Sequence, residues 1–157
     1  MTGIKAIALD VDGVLTDGGV WWGPEGGEWK RFCFADIMGV SLAHKAGLLV
    51  TLISGEDSPL VDRFAEKMSI RDISKGCKDK AAALLGFAAR NELRVGEICF
   101  MGDDVNDLGA MAIAGFSAAP ANAQPLVRRQ AKLVTLATGG NGAVRELVDL
   151  LLAERAG

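Results

Sequence analysis

Three apolar runs in this chain end in the same manner, and this constrains the fold more than any other feature. Ile4-Lys5-Ala6-Ile7-Ala8-Leu9 stops at Asp10-Val11-Asp12-Gly13, Leu48 to Ile53 stops at Ser54-Gly55, and Glu97 to Met101 stops at Gly102-Asp103-Asp104. Each run has the length of a strand. Leu48 to Ile53 is apolar but for Thr51, the near-continuous pattern of a strand buried on both faces of a parallel sheet. Segments of helical period lie between the runs. Asp36 to Ala46 predicts a helix stopped by Gly47. Ser58-Pro59 opens another, with a capping residue and proline at the first position, and Leu60, Val61, Phe64 and Met68 keep its period. Asp79 to Asn91, Val105 to Ala114, Ala123 to Gln130 and Gly142 to Ala153 are expected helices. Ile70 to Ile73, Gly115 to Ala118 and Leu133 to Leu136 are expected short strands. This alternation predicts an α/β fold: a Rossmann-like sandwich with a mainly parallel sheet, in one domain over residues 1–157.

One segment breaks the alternation. Gly18-Gly19-Val20-Trp21-Trp22 and Glu28-Trp29-Lys30-Arg31-Phe32 flank Gly23-Pro24-Glu25-Gly26-Gly27, two β-rich runs around a Gly/Pro turn. This predicts a protruding β-hairpin after the first strand, over about residues 16–34. All three tryptophans lie in it, either packed on the core or forming a surface for a partner. With 157 residues, the chain fills a core domain and leaves no material for a separate cap. The 20 glycines exceed the usual share of about 7% and show no collagen-like period, so they belong to turns and tight loops.

Composition removes several classes of function. The net charge of −3 offers no basic excess for nucleic acid or an anionic membrane. The N-terminal apolar run stops at Asp10, too soon for a signal peptide or a membrane span. The three cysteines, Cys33, Cys77 and Cys99, have no CxxC spacing and fit a reducing compartment, so a cytoplasmic location is expected. His44, the single histidine, reads as an ordinary helix residue.

In a parallel α/β sheet, ligands sit at the carboxyl ends of the strands. Asp10, Asp12, Asp103, Asp104 and Asp107 are all carried there, and five converging carboxylates repel unless a cation joins them. An all-oxygen donor set points to a hard ion, Mg²⁺ first. Asp10 and Asp12 are two apart on an extended segment and point the same way. That suits a nucleophilic carboxylate beside an acid/base group, which splits phosphoester hydrolysis into two steps through an aspartyl-phosphate. The Ser54 hydroxyl, the Gly55 N–H and the helix N-terminus that follows can hold phosphoryl oxygens. Lys80, at the start of a helix, supplies the expected cation, with Lys78 close enough to compete for the role.

At these residues the chain resembles the haloacid dehalogenase superfamily of phosphotransferases. The resemblance rests on Leu9-Asp10-Val11-Asp12-Gly13-Val14-Leu15-Thr16-Asp17-Gly18, Ile53-Ser54-Gly55, Lys80 and Gly102-Asp103-Asp104-Val105-Asn106-Asp107, and spans nearly the whole chain. Gly27 to Phe32 and Gly139 to Glu146 are similar to the small capless branch acting on 3-deoxy-2-ulosonic acid phosphates. The resemblance implies Asp10 as nucleophile and Asp12 as acid/base. It implies Mg²⁺ held by Asp10, the Asp12 carbonyl and Asp103, with Asp104 and Asp107 in support. Ser54 and Lys80 would bind the phosphoryl group. It also implies a homotetramer joined through the hairpins, a neighbouring subunit covering each site.

Two positions depart from the octulosonate 8-phosphate phosphatases of that branch. Glu56 stands where they usually carry arginine, and Ala35-Asp36-Ile37 stands for their Arg-Asp-Gly. Glu56 with Lys67 looks more like the nonulosonate 9-phosphate type, so Gly55, Glu56, Arg63 and Lys67 are the expected substrate contacts and the sialic-acid-like substrate is slightly preferred. A phospho-accepting receiver module is the alternative from another class. It needs its acceptor aspartate on a middle strand before the Ser/Thr, where this chain has Leu52-Ile53. A dinucleotide site at Gly140-x-Gly142 lacks its third glycine, since Arg145 stands there.

Overall fold

Apolar side chains on both faces of the expected strands leave only one stable solution, a sheet covered twice. The computed structural model describes residues 1–156; Gly157, the last residue of the expected domain, lies outside them. The elements are β1 (Ala6–Leu9), β2 (Trp21–Trp22), β3 (Glu28–Trp29), α1 (Phe34–Lys45), β4 (Leu49–Ile53), α2 (Pro59–Met68), β5 (Asp72–Ser74), α3 (Lys80–Arg90), β6 (Ile98–Met101), α4 (Leu108–Ile113), β7 (Phe116–Ala119), α5 (Pro125–Gln130), β8 (Leu133–Val134) and α6 (Ala143–Ala156).

Six strands form one sheet in the order β5-β4-β1-β6-β7-β8, and every pairing in it is parallel. Central β1 pairs Leu9 with Leu52 of β4 on one side and with Met101 of β6 on the other. The chain crosses to β4 first and reaches β6 later, so the order reverses at β1 and opens a crevice above its carboxyl end. Leu9, Leu52 and Met101 are fully buried beneath that crevice.

Two cores lie on opposite faces of the sheet. Val40 and Ala43 of α1, Phe64 and Met68 of α2, and Leu147 and Leu151 of α6 cover one face with Ile7 and Leu9. Leu84 and Phe87 of α3, Met111 of α4 and Val127 of α5 cover the other with Ile53, Ile98 and Phe100. Local signals set the helix ends as expected. The Ser58 Oγ accepts from the Leu60 N–H with Pro59 in the first turn, and the Asp79 carboxylate accepts from the Ala82 N–H.

Three expectations need correction. The hairpin strands pair over two residues each rather than five, Trp21 with Trp29 and Trp22 with Glu28, because a two-stranded ribbon has no third strand to extend it. The last strand stops at Val134 rather than Leu136. The helix expected from Val105 begins as one 3₁₀ turn, Val105–Asp107, before α4. The cause is Asp107, whose carboxylate curls back onto the N–H groups of Asp103 and Asp104.

Candidate active site

The turn after β1 is built around one carbonyl: that of Val11 accepts from the N–H groups of Leu15 and Thr16. The Thr16 hydroxyl oxygen accepts from the Gly13 and Gly18 N–H groups and closes the loop. Gly13 is required at its position. It has φ +85°, and a Cβ there would run into the Asp103 carboxylate. Gly102 is likewise required, since a Cβ would strike the Asp107 side chain at 2.4 Å. Removing two side chains is therefore what lets the β1 and β6 loops close on one point.

Asp10, Asp12, Asp103 and Asp104 line the resulting cavity of about 390 Å³, together with Gly18, Gly55, Glu56, Lys80, Val105 and Asn106. Of the two candidate lysines, Lys80 lines the cavity and Lys78 does not. The Lys80 side chain is 1% exposed, and its Nζ lies 2.9 Å from Asp10 Oδ1 and 2.7 Å from Asp107 Oδ1. Asp107 is fully buried and does not line the cavity. It joins Lys80 to the two N–H groups at the end of β6. Asp104 caps the 3₁₀ turn through the Val105 N–H.

The charges do not balance. One oxygen each of Asp10, Asp103 and Asp107 lie within 4.8 Å of one another, and among the described residues the only cation paired with this set is Lys80. Burial, then the field of Asp107, holds the Asp10 carboxyl well above the usual carboxylate range, against the opposing pull of Lys80 and the Val11 N–H. Burial and Asp107 push Asp103 up to about 6. Burial opposes the Lys80 charge, but Asp10 and Asp107 outweigh it and hold the ammonium above the ordinary lysine range. Three carboxylates with one ammonium, all oxygen donors, are a fitting nest for a small divalent cation.

Other expected residues are placed differently. Ser54 is fully buried and does not line the cavity; its Oγ accepts from the Glu56 N–H at 3.1 Å, so it shapes the loop that presents Gly55 and Glu56. Arg63 and Lys67 are not brought into the acidic cavity of the chain. They sit one turn apart on the exposed face of α2, which looks toward the hairpin base, and line a separate cleft of about 280 Å³ with Trp29, Phe32 and Phe64.

Two polar residues were not anticipated. Lys30 reaches from the hairpin to Asp12 Oδ1 at 2.9 Å, with its side chain 4% exposed. Burial opposes its charge, and Asp12 and then Glu28 more than compensate, keeping it above the ordinary lysine range. The period-two alternation Glu28-Trp29-Lys30 was the available signal, since it turns Glu28 and Lys30 to the side opposite Trp29. Asn122 clamps the nucleophile loop to the C-terminal loop, donating to the Gly13 carbonyl and accepting from the Gly139 N–H. No sequence pattern marks that contact.

Comparison with known proteins agrees with this geometry. Haloacid dehalogenase-like hydrolases match residues 45–147. The 3-deoxy-D-manno-octulosonate 8-phosphate phosphatase KdsC of Yersinia pestis is 35% identical over 149 residues, 95% of this chain and 80% of the relative. That of Escherichia coli K12 is 36% identical over 149 residues, 95% of this chain and 79% of the relative. The Moraxella catarrhalis octulosonate 8-phosphate phosphatase, solved with magnesium, phosphate and KDO, superposes with a TM-score of 0.94 at 37% identity, covering 96% of this chain and 87% of the other. The cobalt-bound enzyme of Haemophilus influenzae gives a TM-score of 0.95 at 32% identity, covering 98% and 90%. None of these relatives is a nonulosonate phosphatase, so the slight preference for that substrate gains no support. With the family matched over most of its length and its acidic loops meeting at one strand-end cavity, the chain belongs to the haloacid dehalogenase-like hydrolases, as a phosphoric monoester hydrolase of the octulosonate phosphatase branch.

Proposed function

We propose that the protein is a Mg²⁺-dependent phosphatase of 3-deoxy-2-ulosonic acid phosphates, with 3-deoxy-D-manno-octulosonate 8-phosphate as its first substrate. The observation that carries this reading is the meeting of Asp10, Asp12, Asp103 and Lys80 in one cavity, together with relatives named for that substrate. Asp10 attacks phosphorus through a carboxylate oxygen while the ester P–O bond breaks. Asp12 gives its proton to the departing sugar alkoxide. Water then attacks the aspartyl-phosphate, Asp12 takes a proton from it, and the bond to Asp10 breaks to release inorganic phosphate. Lys80 holds the Asp10 carboxylate in place through one of three N–H groups, and Asp107 fixes Lys80 through another. Gly55, which lines the cavity, would offer its N–H to a phosphoryl oxygen. Asp10, Asp103 and the Asp12 carbonyl would hold Mg²⁺, which supplies positive charge for the phosphoryl oxygens when bound.

A second substrate reading rests on Glu56. This side chain lines the cavity where the octulosonate enzymes usually carry arginine, and a carboxylate accepts hydrogen bonds from sugar hydroxyls where arginine favours anions. A nonulosonate 9-phosphate would suit it. The chain is also proposed to associate through its hairpins, so that a second copy covers a cavity its own residues leave open. No helix among the described residues is long and apolar enough to cross a membrane.

The test is a panel of octulosonate 8-phosphate, N-acetylneuraminate 9-phosphate and its deaminated analogue, assayed by phosphate release with Mg²⁺. Octulosonate 8-phosphate is expected to rank first, and Glu56→Arg to widen its lead. A ranking unmoved by Glu56→Arg removes Glu56 as a specificity element. Asp10→Asn is expected to lower kcat by about 10³-fold or more while the fold persists by circular dichroism. Full activity in that variant rejects the mechanism.

A further inference from the structure

Asp12 is held by a side chain that comes from outside the sheet. Lys30 follows β3, and its Nζ lies 2.9 Å from Asp12 Oδ1. The same Nζ lies 3.4 Å from Glu28 Oε1. Glu28 is tied in turn to the core by Ser58 at the cap of α2, whose hydroxyl donates to Glu28 Oε1 at 3.3 Å. Lys30 therefore does not dangle from a loop: one carboxylate anchors it and leaves its head on the other. Its side chain is 4% exposed, against 31% for Asp12, and it lines the neighbouring cleft with Arg63 and Lys67 rather than the acidic cavity that Asp12 lines.

A carboxyl group that must give a proton to a leaving oxygen and later take one from water has to present a chosen oxygen in a chosen direction. A rotation about its χ2 would exchange the two oxygens and lose that direction. Lys30 engages Oδ1, so Oδ2 is the oxygen of this cavity-lining carboxylate that the lysine leaves unengaged. We infer that Lys30 is a positioning residue for Asp12, which fixes its orientation and assigns the proton transfers to Oδ2. This rests on the reading of Asp12 as the acid/base group, and it gives the hairpin a part in the chemistry beyond any contact it makes with another molecule.

The plain alternative is a salt bridge that only docks the hairpin. The two differ in how they treat the leaving group. A sugar alkoxide needs a proton as it departs, whereas 4-nitrophenolate does not. The quantity to compare is kcat/KM, which reports events up to the first irreversible step, the formation of the aspartyl-phosphate. Lys30→Met and Lys30→Gln, two replacements in case one does not fold, are assayed on octulosonate 8-phosphate and on 4-nitrophenyl phosphate. The expected result is a loss of about 30- to 100-fold on the sugar ester and of about threefold or less on the aryl ester. Lys30→Arg, which restores a cation within reach of Oδ1, should recover most of the sugar-ester activity. Equal losses on both esters, or no loss on either, overturn the proposal. Asp12→Asn on the same esters separates the two layers. If it loses the sugar ester selectively while the Lys30 variants do not, the role of Lys30 alone fails. If it loses both equally, the reading of Asp12 as acid falls, and the role of Lys30 with it.

Discussion

The strand-end site and the hairpin use charged and aromatic residues in opposite ways. At the strand ends, charge is buried: Asp10, Lys80 and Asp107 lose nearly all contact with water and must satisfy each other. In the hairpin, apolar surface is left out. Trp21, Trp22 and Trp29 are 72%, 77% and 58% exposed, although aromatic side chains of that size are ordinarily largely buried. A buried charge cluster is stiff because each group lost costs several kcal/mol in the others. An exposed aromatic face stabilises little until something covers it. One edge of the hairpin belongs to each regime, with Trp29 turned outward and Lys30 turned in to Asp12.

The largest effect is expected from the stiff side. Lys80→Met leaves Asp10 and Asp107 buried without their cation, so it should cost about 3–5 kcal/mol of stability. It should also lower kcat by about 10²–10³-fold. Chemical denaturation with steady-state kinetics checks both; a variant as stable as wild type would show that the cluster is not coupled as its geometry indicates.

Asp103 gives a smaller and more selective effect. Its folded carboxyl is raised to about 6 from an ordinary 3.8, so the fold binds that proton more tightly than the unfolded chain does. Stability conferred by the protonated form is therefore full below about pH 4 and is lost as pH rises through about 6, in protein stripped of metal with EDTA. Added Mg²⁺ needs the ionised group, so its stabilising effect should grow over the same interval. Melting curves across pH test this. Asp103→Asn should abolish the Mg²⁺ response and flatten that part of the metal-free pH profile; a full Mg²⁺ response in the variant would remove Asp103 from the ligand set.

The smallest effect on the isolated chain, and the sharpest break in the comparison, is expected from Trp21→Ser. An exposed side chain contributes about 0.5 kcal/mol or less to its own fold. If the hairpin is the association surface, the same substitution should lower the molecular mass seen by light scattering. A wild-type protein that is already a fully active monomer would refute the interface.

Much of the site was legible before the fold. Asp10, Asp12 and Asp103 were legible because strand ends in a parallel sheet are chemically distinctive, and period and caps located those ends within a residue or two; Lys80, at a helix start, was legible only in competition with Lys78. The placements of Ser54, Arg63 and Lys67 were not legible, since period tells which helix face is exposed and not which cavity that face looks into. The Asn122 clamp joins residues far apart in sequence, a contact that no local rule reports.

By itself, then, the sequence determined the layered α/β architecture, the order of its strands and helices and the acidic character of the strand ends, because these follow from local period, caps and residue type. Only the tertiary structure decided that Asp107 turns from the cavity to Lys80, that Arg63 and Lys67 line another cleft, and that Lys30 reaches Asp12. Each depends on the direction of a side chain in space, which crossing elements set together and no single segment contains.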